Sequence, residues 1–153
     1  MTEPNRNYAV PIQVLLVEDS VGDVRLTREA FKDAKVHITL HVVPDGVEAM
    51  SFLQRIEKYT HVPRPDLILL DLNLPKRDGR EVLKFIKESP TLRTIPVVIL
   101  TTSASEADVL RSYQLHANCY ITKPVDLDGF IEVVKSIDNF WLSVVRLPHE
   151  ARP

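Results

Sequence analysis

Short apolar runs alternate with amphipathic stretches along most of the chain. Most of the runs are nearly continuous in Val, Ile and Leu, a pattern typical of strands covered on both faces in a parallel sheet. The five runs that predict strands are Ile12–Val17, His37–Val43, Leu67–Leu70, Val97–Thr101 and Cys119–Thr122. The second run carries His37, Thr39 and His41 among its apolar residues, which favours a position at an edge of the sheet.

The stretches between the runs have helical periodicity, with apolar residues three and four positions apart. Ser105 and Asp126 can cap the fourth and fifth of these stretches, because their side-chain oxygens accept from free N–H groups in a first helical turn. The predicted helices are Val21–Ala34, Gly46–Tyr59, Arg80–Glu88, Ser105–Leu115 and a last one from Asp126 to about Val145. Alternating strands and helices predict an α/β layer sandwich with right-handed crossovers.

Composition and charge narrow the class of protein. The chain has 153 residues, 44% of them apolar and 26% charged, which suits one globular domain. A net charge of -2 argues against a nucleic-acid binder. Cys119 is the single cysteine, which favours a reducing compartment, and no apolar run approaches the ~20 residues of a membrane span.

These features predict a cytoplasmic protein that contacts neither membrane nor nucleic acid. The start of the chain is polar and does not resemble a signal peptide. We expect residues 1–10 to be a flexible N-terminal segment, residues 11–146 to form the domain, and residues 147–153 to be a C-terminal tail.

Polar residues follow four of the five predicted strands. Because ligands of open parallel sheets bind outside the carboxyl ends of the strands, we expect these side chains to meet. They are Glu18 and Asp19 after the first strand, Asp71 and Asn73 after the third, Thr101 at the end of the fourth, and Lys123 after the fifth. Taken singly, each is as well explained as a helix cap, a turn residue or a solvated charge.

Together these residues predict a specific chemistry. Three carboxylates in close contact raise one another's pKa unless a cation shares the site. Hard oxygen donors with room for water suit Mg²⁺. A carboxylate there can accept a phosphoryl group as an acyl phosphate, while the metal and a lysine neutralise charge on the transferring oxygens.

Four sequence motifs resemble those of the receiver domains of bacterial two-component response regulators, over about residues 12–145. The motifs are residues 17–19 (VED), residues 70–75 (LDLNLP) followed by Asp78 and Gly79, residues 96–101 (PVVILT), and residues 120–124 (YITKP). The resemblance implies a three-layer α/β/α sandwich with five helices and a parallel five-stranded sheet in the flavodoxin-like order 2-1-3-4-5. It also implies a single-domain regulator that is not an enzyme beyond catalysing its own phosphorylation and dephosphorylation.

The same resemblance implies roles for individual residues. Asp71 would be the phosphoacceptor, and Mg²⁺ would be held by Glu18, Asp19, Asp71 and the backbone carbonyl of Asn73. Thr101, Tyr120 and Lys123 would bind the phosphoryl group and carry the conformational switch. The peptide bond between Lys123 and Pro124 would be cis.

Further features resemble a narrower group, the small receivers that pair with phytochrome histidine kinases in cyanobacteria. They are the insert-like segment 57–65, the segment 92–96 and the sequence at 139–142. This likeness implies a phytochrome-type kinase as partner, an unknown downstream protein, and a homodimer through the last strand and helix. The residues expected at that interface are Phe130, Val134, Ile137, Phe140 and Trp141.

The sequence leaves other functions open and departs from the receiver pattern at two positions. A phosphatase of the haloacid dehalogenase type would also use Asp71 as nucleophile with Mg²⁺, although it would usually carry a second acid where Asn73 stands. A receiver that works purely as a scaffold is a further alternative. Two residues depart from the receiver pattern: many receivers have Asp at Glu18, and many have Gly at His116 in the turn before the fifth strand.

Overall fold

A single parallel sheet forms the centre of the molecule. The computed structural model describes residues 10–34 and 36–148. Its strands are β1 (Ile12–Val17), β2 (Ile38–Val43), β3 (Leu67–Leu70), β4 (Val97–Thr101) and β5 (Cys119–Thr122). They are arranged in the order β2-β1-β3-β4-β5, which confirms the predicted flavodoxin-like topology and places β2 at an edge.

Five α-helices connect and flank the strands, as the periodicity predicts. They are α1 (Val21–Phe31), α2 (Gly46–Gln54), α3 (Gly79–Glu88), α4 (Glu106–Gln114) and α5 (Leu127–Ile137). The hydroxyl of Ser105 accepts from the backbone N–H of Asp108, and the carboxylate of Asp126 accepts from that of Gly129. Both predicted N-caps are therefore present.

Apolar side chains on the two faces of the sheet form two cores. One core packs α2 and α3 against the face that includes Leu15, Ile68 and Ile99. The other packs α1 and α5 against the opposite face, around Leu69 and Val98. Because every residue of β3 and β4 is buried, the central strands need apolar side chains on both faces, which explains their continuous Val, Ile and Leu runs.

Three helices end at least three residues before the predicted end, and the first of them stops at Phe31 instead of Ala34. The second predicted helix stops at Gln54, because Arg55 adopts a left-handed conformation with φ 56 and ψ 46, and a 3₁₀ turn follows at Glu57–Tyr59. The last one leaves α-helical geometry at Ile137 and continues as a π-helical segment, Asp138–Leu142. There the backbone N–H of Val145 donates to the carbonyl of Phe140, five residues earlier.

The two predicted terminal segments lie largely outside the described residues. Residues 1–9 and 149–153 are not described, so flexibility at either end stays a prediction. Within the predicted tail, Leu147 is buried against the core that contains α1 and α5. None of the helices in the described ranges is long and apolar enough to cross a membrane.

His116 lies in the turn between α4 and β5 with a φ of 72, which explains why glycine suits this position. A side chain in the left-handed backbone region destabilises the fold by about 1–2 kcal/mol. Glycine removes this cost, but the extra freedom that it gives the unfolded chain offsets about 0.4–1 kcal/mol of the gain. We therefore expect His116→Gly to raise Tm by roughly 1–4 °C, measured by differential scanning calorimetry. Gln114→Gly, in the last turn of α4, should lower it. A Tm unchanged or lowered by His116→Gly would contradict this account.

Candidate functional site

Strand register brings the chemical residues together at the carboxyl edge of the sheet. Val17 pairs with Leu70 across β1 and β3, so Glu18 and Asp71 leave the sheet side by side. The backbone N–H of Asp71 donates to the carbonyl of Val17 at 3.1 Å. Lys123 is the residue directly after β5, and its backbone N–H donates to the carbonyl of Thr101 at 2.7 Å.

Glu18, Asp19 and Asp71 form a compact acidic cluster. One oxygen from each carboxylate lies within 4.8 Å of the other two. Glu18 and Asp71 are buried, whereas Asp19 is exposed, so the cluster is open to solvent on one side. Three hard oxygen donors with an open side fit a divalent cation such as Mg²⁺ that retains water ligands.

Lys123 lies in the middle of this cluster and is buried. Its Nζ is 2.5 Å from Glu18 Oε1, 2.8 Å from Asp23 Oδ2 and 3.2 Å from Asp71 Oδ2. One ammonium group is thus hydrogen bonded to three carboxylates, and all three of its N–H groups have an acceptor. The predicted contact between Lys123 and Asp71 is therefore present.

Asp23 is a neighbour of Lys123 that the sequence analysis does not predict. It lies in the first turn of α1, where its backbone N–H donates to the hydroxyl of the N-cap Ser20. Helical side chains tilt toward the N-terminus of their helix, and here that direction leads to the sheet edge. The sequence feature that could have predicted this contact is a carboxylate in the first turn of α1, the helix that follows β1.

Burial and pairing shift the ionisation of this site. Burial raises the pKa of Glu18 to about 7, although the hydrogen bond from Lys123 and its charge act in the opposite direction. Burial favours the neutral amine of Lys123, but hydrogen bonds to Asp23 and Glu18 together raise its pKa above the ordinary value. Lys123 therefore keeps its charge, and a second cation would lower the pKa of Glu18.

The loop from β3 to α3 holds Asp71 in place. The backbone N–H of Asn73 donates to Asp71 Oδ1 at 3.1 Å, and that of Gly79 donates to the carbonyl of Leu72 at 2.9 Å. The start of α3 thus packs directly on the backbone of the acidic residue. The predicted contribution of the Asn73 backbone carbonyl to a metal stays a prediction.

Gly79 has no room for a side chain. A Cβ at this position would lie 2.2 Å from the carbonyl oxygen of Asp71 and 2.6 Å from Cα of Leu72. We expect Gly79→Ala to lower the free energy of unfolding by about 1–3 kcal/mol, as overpacking of a closed core does, and to displace Asp71. Thermal unfolding measures the first effect, and the affinity for Mg²⁺ measures the second.

The matched control is Gly22→Ala in the exposed first turn of α1. A Cβ there meets only the Ser20 hydroxyl at 3.9 Å, so alanine should be neutral or stabilising by up to about 1 kcal/mol. Equal losses of stability in both variants would show that the close approach at Gly79 is unimportant.

Two of the predicted switch residues, Thr101 and Tyr120, contact the backbone of Ser103. Thr101 is completely buried, and its Oγ1 is 3.5 Å from the backbone N of Ser103. The hydroxyl of Tyr120 donates to the carbonyl of Ser103 at 2.9 Å. Thr101 and Tyr120 are therefore joined through the loop between β4 and α4.

The predicted cis peptide bond is wrong for this structure. The bond between Lys123 and Pro124 is trans, since no peptide bond within the described ranges is cis. The trans form of an X–Pro bond is favoured by about 0.5–1 kcal/mol, and the motif alone does not override that preference.

The predicted dimer surface also needs correction. Phe130, Val134 and Ile137 are buried in the core of the monomer, because α5 covers the sheet with this face. They are not available to a second copy. Phe140 is 54% exposed, and Trp141 lies beside it with ring centroids 5.8 Å apart.

Comparisons with known proteins identify a family and several similar sequences and structures. A model of the response regulator receiver domain matches residues 14–135. The response regulator Rcp1 of Synechocystis sp. is 53% identical over 138 residues, which cover 90% of this chain and 94% of Rcp1. The Mn²⁺-bound form of Rcp1 has a TM-score of 0.89 and 52% identity, covering 91% of this chain and 100% of that chain. The phosphorylated cyanobacterial phytochrome response regulator RcpA has a TM-score of 0.89 and 51% identity, covering 92% of this chain and 100% of that chain.

These similarities favour a regulatory protein and give no support to a haloacid dehalogenase-type phosphatase. Receiver domains bind a divalent metal and take phosphoryl groups from histidine kinases, and the acidic cluster with Lys123 provides the groups for that chemistry. The chain therefore belongs to the response regulator receiver domain family, and it is closely related to Rcp1 and RcpA of cyanobacterial phytochrome signalling.

Proposed function

We propose that this receiver accepts a phosphoryl group from a histidine kinase on Asp71 and changes conformation in response. One observation carries the proposal: the carboxylate of Asp71 lies 3.2 Å from the Nζ of Lys123 and within 4.8 Å of those of Glu18 and Asp19. A buried nucleophile with an adjacent cation suits transfer to a carboxylate.

The transfer replaces the P–N bond of a phosphohistidine with an O–P bond to Asp71. A carboxylate oxygen of Asp71 attacks the phosphorus of a phosphohistidine, an O–P bond forms, and the P–N bond breaks. The imidazole leaves with the bonding electrons and takes up a proton. Lys123 neutralises charge on the transferring oxygens, and its contact with Asp71 positions it to do so.

The metal that we propose for the acidic cluster is Mg²⁺. Glu18, Asp19, Asp71 and the backbone carbonyl of Asn73 would hold it, and the oxygen-only donor set supports that choice. When bound, it supplies positive charge to the phosphoryl oxygens. Many receivers have the shorter Asp in place of Glu18, and we propose that Glu18 acts on the metal through a bridging water.

The response begins at Thr101. A phosphoryl group adds roughly two negative charges and three acceptor oxygens, and the Thr101 hydroxyl at the end of β4 can donate to one of these oxygens. Movement of this hydroxyl toward Asp71 would weaken its contact with Ser103 and thereby shift Tyr120. To move such an equilibrium from 1:99 to 99:1 takes about 5.5 kcal/mol, which charge-assisted bonds to Thr101 and Lys123 can supply.

We propose a phytochrome-type kinase as the donor, since RcpA is a phytochrome response regulator with 51% identity to this chain. In this role the chain is not an enzyme for other substrates and catalyses only its own phosphorylation and dephosphorylation. A cytoplasmic location stays a prediction, supported by the lone cysteine Cys119. The downstream partner is a protein that recognises the phosphorylated conformation.

The decisive experiment uses the full chain with acetyl phosphate and Mg²⁺. We expect a mass increase of one phosphoryl group that hydroxylamine removes, because an acyl phosphate reacts with this nucleophile. Chelation of the metal before acetyl phosphate is added should prevent the gain. A stable wild-type protein that gains no hydroxylamine-labile group from acetyl phosphate or from a histidine kinase would overturn the proposal.

We also propose a homodimer, now through the exposed apolar residues that follow α5. Phe140 and Val144 are 54% and 71% exposed, and Trp141 packs edge-on against Phe140. An exposed apolar patch of this kind suits association. The predicted contribution of β5 is supported by Cys119, Tyr120 and Ile121, which are only partly buried in the monomer.

We expect Phe140→Asp to shift the monomer–dimer equilibrium toward monomer by about tenfold or more, since a charge at an apolar contact costs over 1.4 kcal/mol. Multi-angle light scattering over a concentration series measures the effect. Val47→Asp on α2 is the matched control, because Val47 is 44% exposed and α2 packs on the opposite face of the sheet from α5. A wild-type chain that is monomeric at every concentration, with and without phosphorylation, would rule out the dimer.

A further inference from the structure

Arg80 connects two helix starts at the functional edge. It lies in the first turn of α3, where its Nη1 donates to both carboxylate oxygens of Asp78, at 2.9 and 3.0 Å. Its Nη2 and Nε reach Asp108 Oδ1 on α4 at 2.7 and 3.2 Å. One guanidinium thus binds two carboxylates from different segments, a use of its planar donor set that lysine cannot reproduce.

The first carboxylate belongs to the segment that carries Asp71. Asp78 is the N-cap of α3, and it forms a reciprocal capping box with Glu81. The adjacent Gly79 packs against the backbone of Asp71 so closely that a Cβ would lie 2.2 Å from its carbonyl oxygen. The position of Asp78 is therefore tied to that of Asp71.

The second carboxylate belongs to the segment that carries the switch. Asp108 Oδ2 accepts from the hydroxyl of Ser103 at 2.6 Å. Ser103 also contacts Tyr120 through its carbonyl, at 2.9 Å, and Thr101 through its backbone N–H, at 3.5 Å. A path of contacts therefore runs from Asp71 to Tyr120. It begins with the packing of Gly79 on the backbone of Asp71 and continues through the hydrogen bonds of Arg80, Asp108 and Ser103.

Burial distinguishes this pair from other ion pairs on the same surface. The side chains of Arg80 and Asp108 are 27% and 23% exposed, whereas those of Arg77 and Glu81 are 51% and 55% exposed. Charges that are partly withdrawn from water interact more strongly and are less screened. Hydrogen bonds from Ser103 and Arg80 accordingly hold the pKa of Asp108 below its ordinary value.

We infer that Arg80 is a positioning residue that couples the phosphoacceptor segment to the switch loop between β4 and α4. By binding Asp78 and Asp108 together, it makes a displacement at one helix start change the hydrogen bonds at the other. The inference rests on the proposed function, because it assigns a residue that links Asp71 to the switch loop in addition to the movement of Thr101. It predicts that the response at the switch end weakens when the bridge is removed.

The test follows backbone amide resonances while beryllium fluoride and Mg²⁺ are added as a stable mimic of the phosphoryl group. Gly79 reports on the phosphoacceptor end, and Ser103 and Tyr120 report on the switch. In the wild type we expect all three amides to shift. In Arg80→Met we expect the Gly79 shift to persist while the Ser103 and Tyr120 shifts fall about fivefold or more. Fivefold is about the smallest factor by which two coupled sites in a protein usually affect each other.

Three further variants separate coupling from stability. Asp108→Leu removes both carboxylate oxygens from the other end of the bridge at similar volume, so it should reproduce the loss even if Arg80→Met folds poorly. Arg80→Lys should give an intermediate result, because an ammonium cannot hold both carboxylates in the same way. Arg77→Met removes a more exposed ion pair on the same surface and should behave as the wild type does.

Two results would overturn the inference. Wild-type shifts at Ser103 and Tyr120 in both Arg80→Met and Asp108→Leu would show that the signal takes another route. A lowered Tm with an unchanged ratio of switch shift to Gly79 shift would show that Arg80 only stabilises the fold. A wild-type protein in which Gly79 itself does not respond would instead count against the proposed function.

Discussion

Replacing Asp71 by Asn is expected to abolish phosphorylation by acetyl phosphate and by a histidine kinase. The amide nitrogen cannot form the acyl phosphate, and the amide oxygen is a poor nucleophile compared with a carboxylate. No other carboxylate of the cluster has the position of Asp71 directly after the buried strand β3. Intact-mass measurement should therefore show no gain of a phosphoryl group.

The same substitution should leave the fold intact and increase its stability in the absence of metal. Asp71 and Glu18 are both buried, and removing one of two adjacent like charges relieves repulsion. Asp126→Asn is the control, because this exposed N-cap keeps its capping oxygen and should be labelled as the wild type is. Stoichiometric labelling of Asp71→Asn would show that another residue is the phosphoacceptor.

Lys123→Met is expected to have the largest effect on stability. The ammonium group contacts Glu18, Asp23 and Asp71, and its loss leaves buried carboxylates without their cation. Breaking a buried ion pair in this way costs about 3–5 kcal/mol. For a chain of this length, that corresponds to a fall in Tm of roughly 6–20 °C, measured without divalent metal.

Mg²⁺ should recover part of the stability lost in Lys123→Met, because a divalent cation offsets the same negative charge. Labelling by acetyl phosphate should still slow by roughly 10²-fold, the usual cost of removing one donor to a developing charge. Lys32→Met is the control: Lys32 pairs with Glu29 at 2.8 Å but is 67% exposed, and such pairs contribute about 0–1 kcal/mol. Equal losses of Tm in the two variants would contradict a special role for Lys123.

The strands and most helix starts could be predicted because their signals are local. Four predicted strands have the observed bounds, and the remaining one, β2, begins at Ile38 instead of His37. Uninterrupted apolar residues in β3 and β4 indicate burial on both faces wherever the strand lies. Capping by Ser105 and Asp126 involves residues three positions away, and the sequence shows both partners at once.

The last helix shows why its end and its faces could not be predicted. An apolar stripe from Phe130 to Val145 fits a single α-helix, but π-helical geometry after Ile137 changes which side chains point inward. Leu142 is buried whereas Phe140 is 54% exposed. Hydrophobicity alone does not state whether an apolar residue faces its own sheet or solvent, so the core residues Phe130, Val134 and Ile137 were assigned to an interface.

The candidate site divides in the same way. The order of residues along the chain is enough to place Glu18, Asp19, Asp71 and Lys123 after strands, and parallel-sheet geometry brings strand ends to one edge. The contact of Asp23 with Lys123, one hundred residues further along the chain, and the contact of Arg80 with Asp108 across two helix starts appear only in the folded structure. Strand patterns and caps arise from contacts between near neighbours in the chain. The pairing of distant charges depends instead on sheet register and side-chain direction, which exist only in the folded protein.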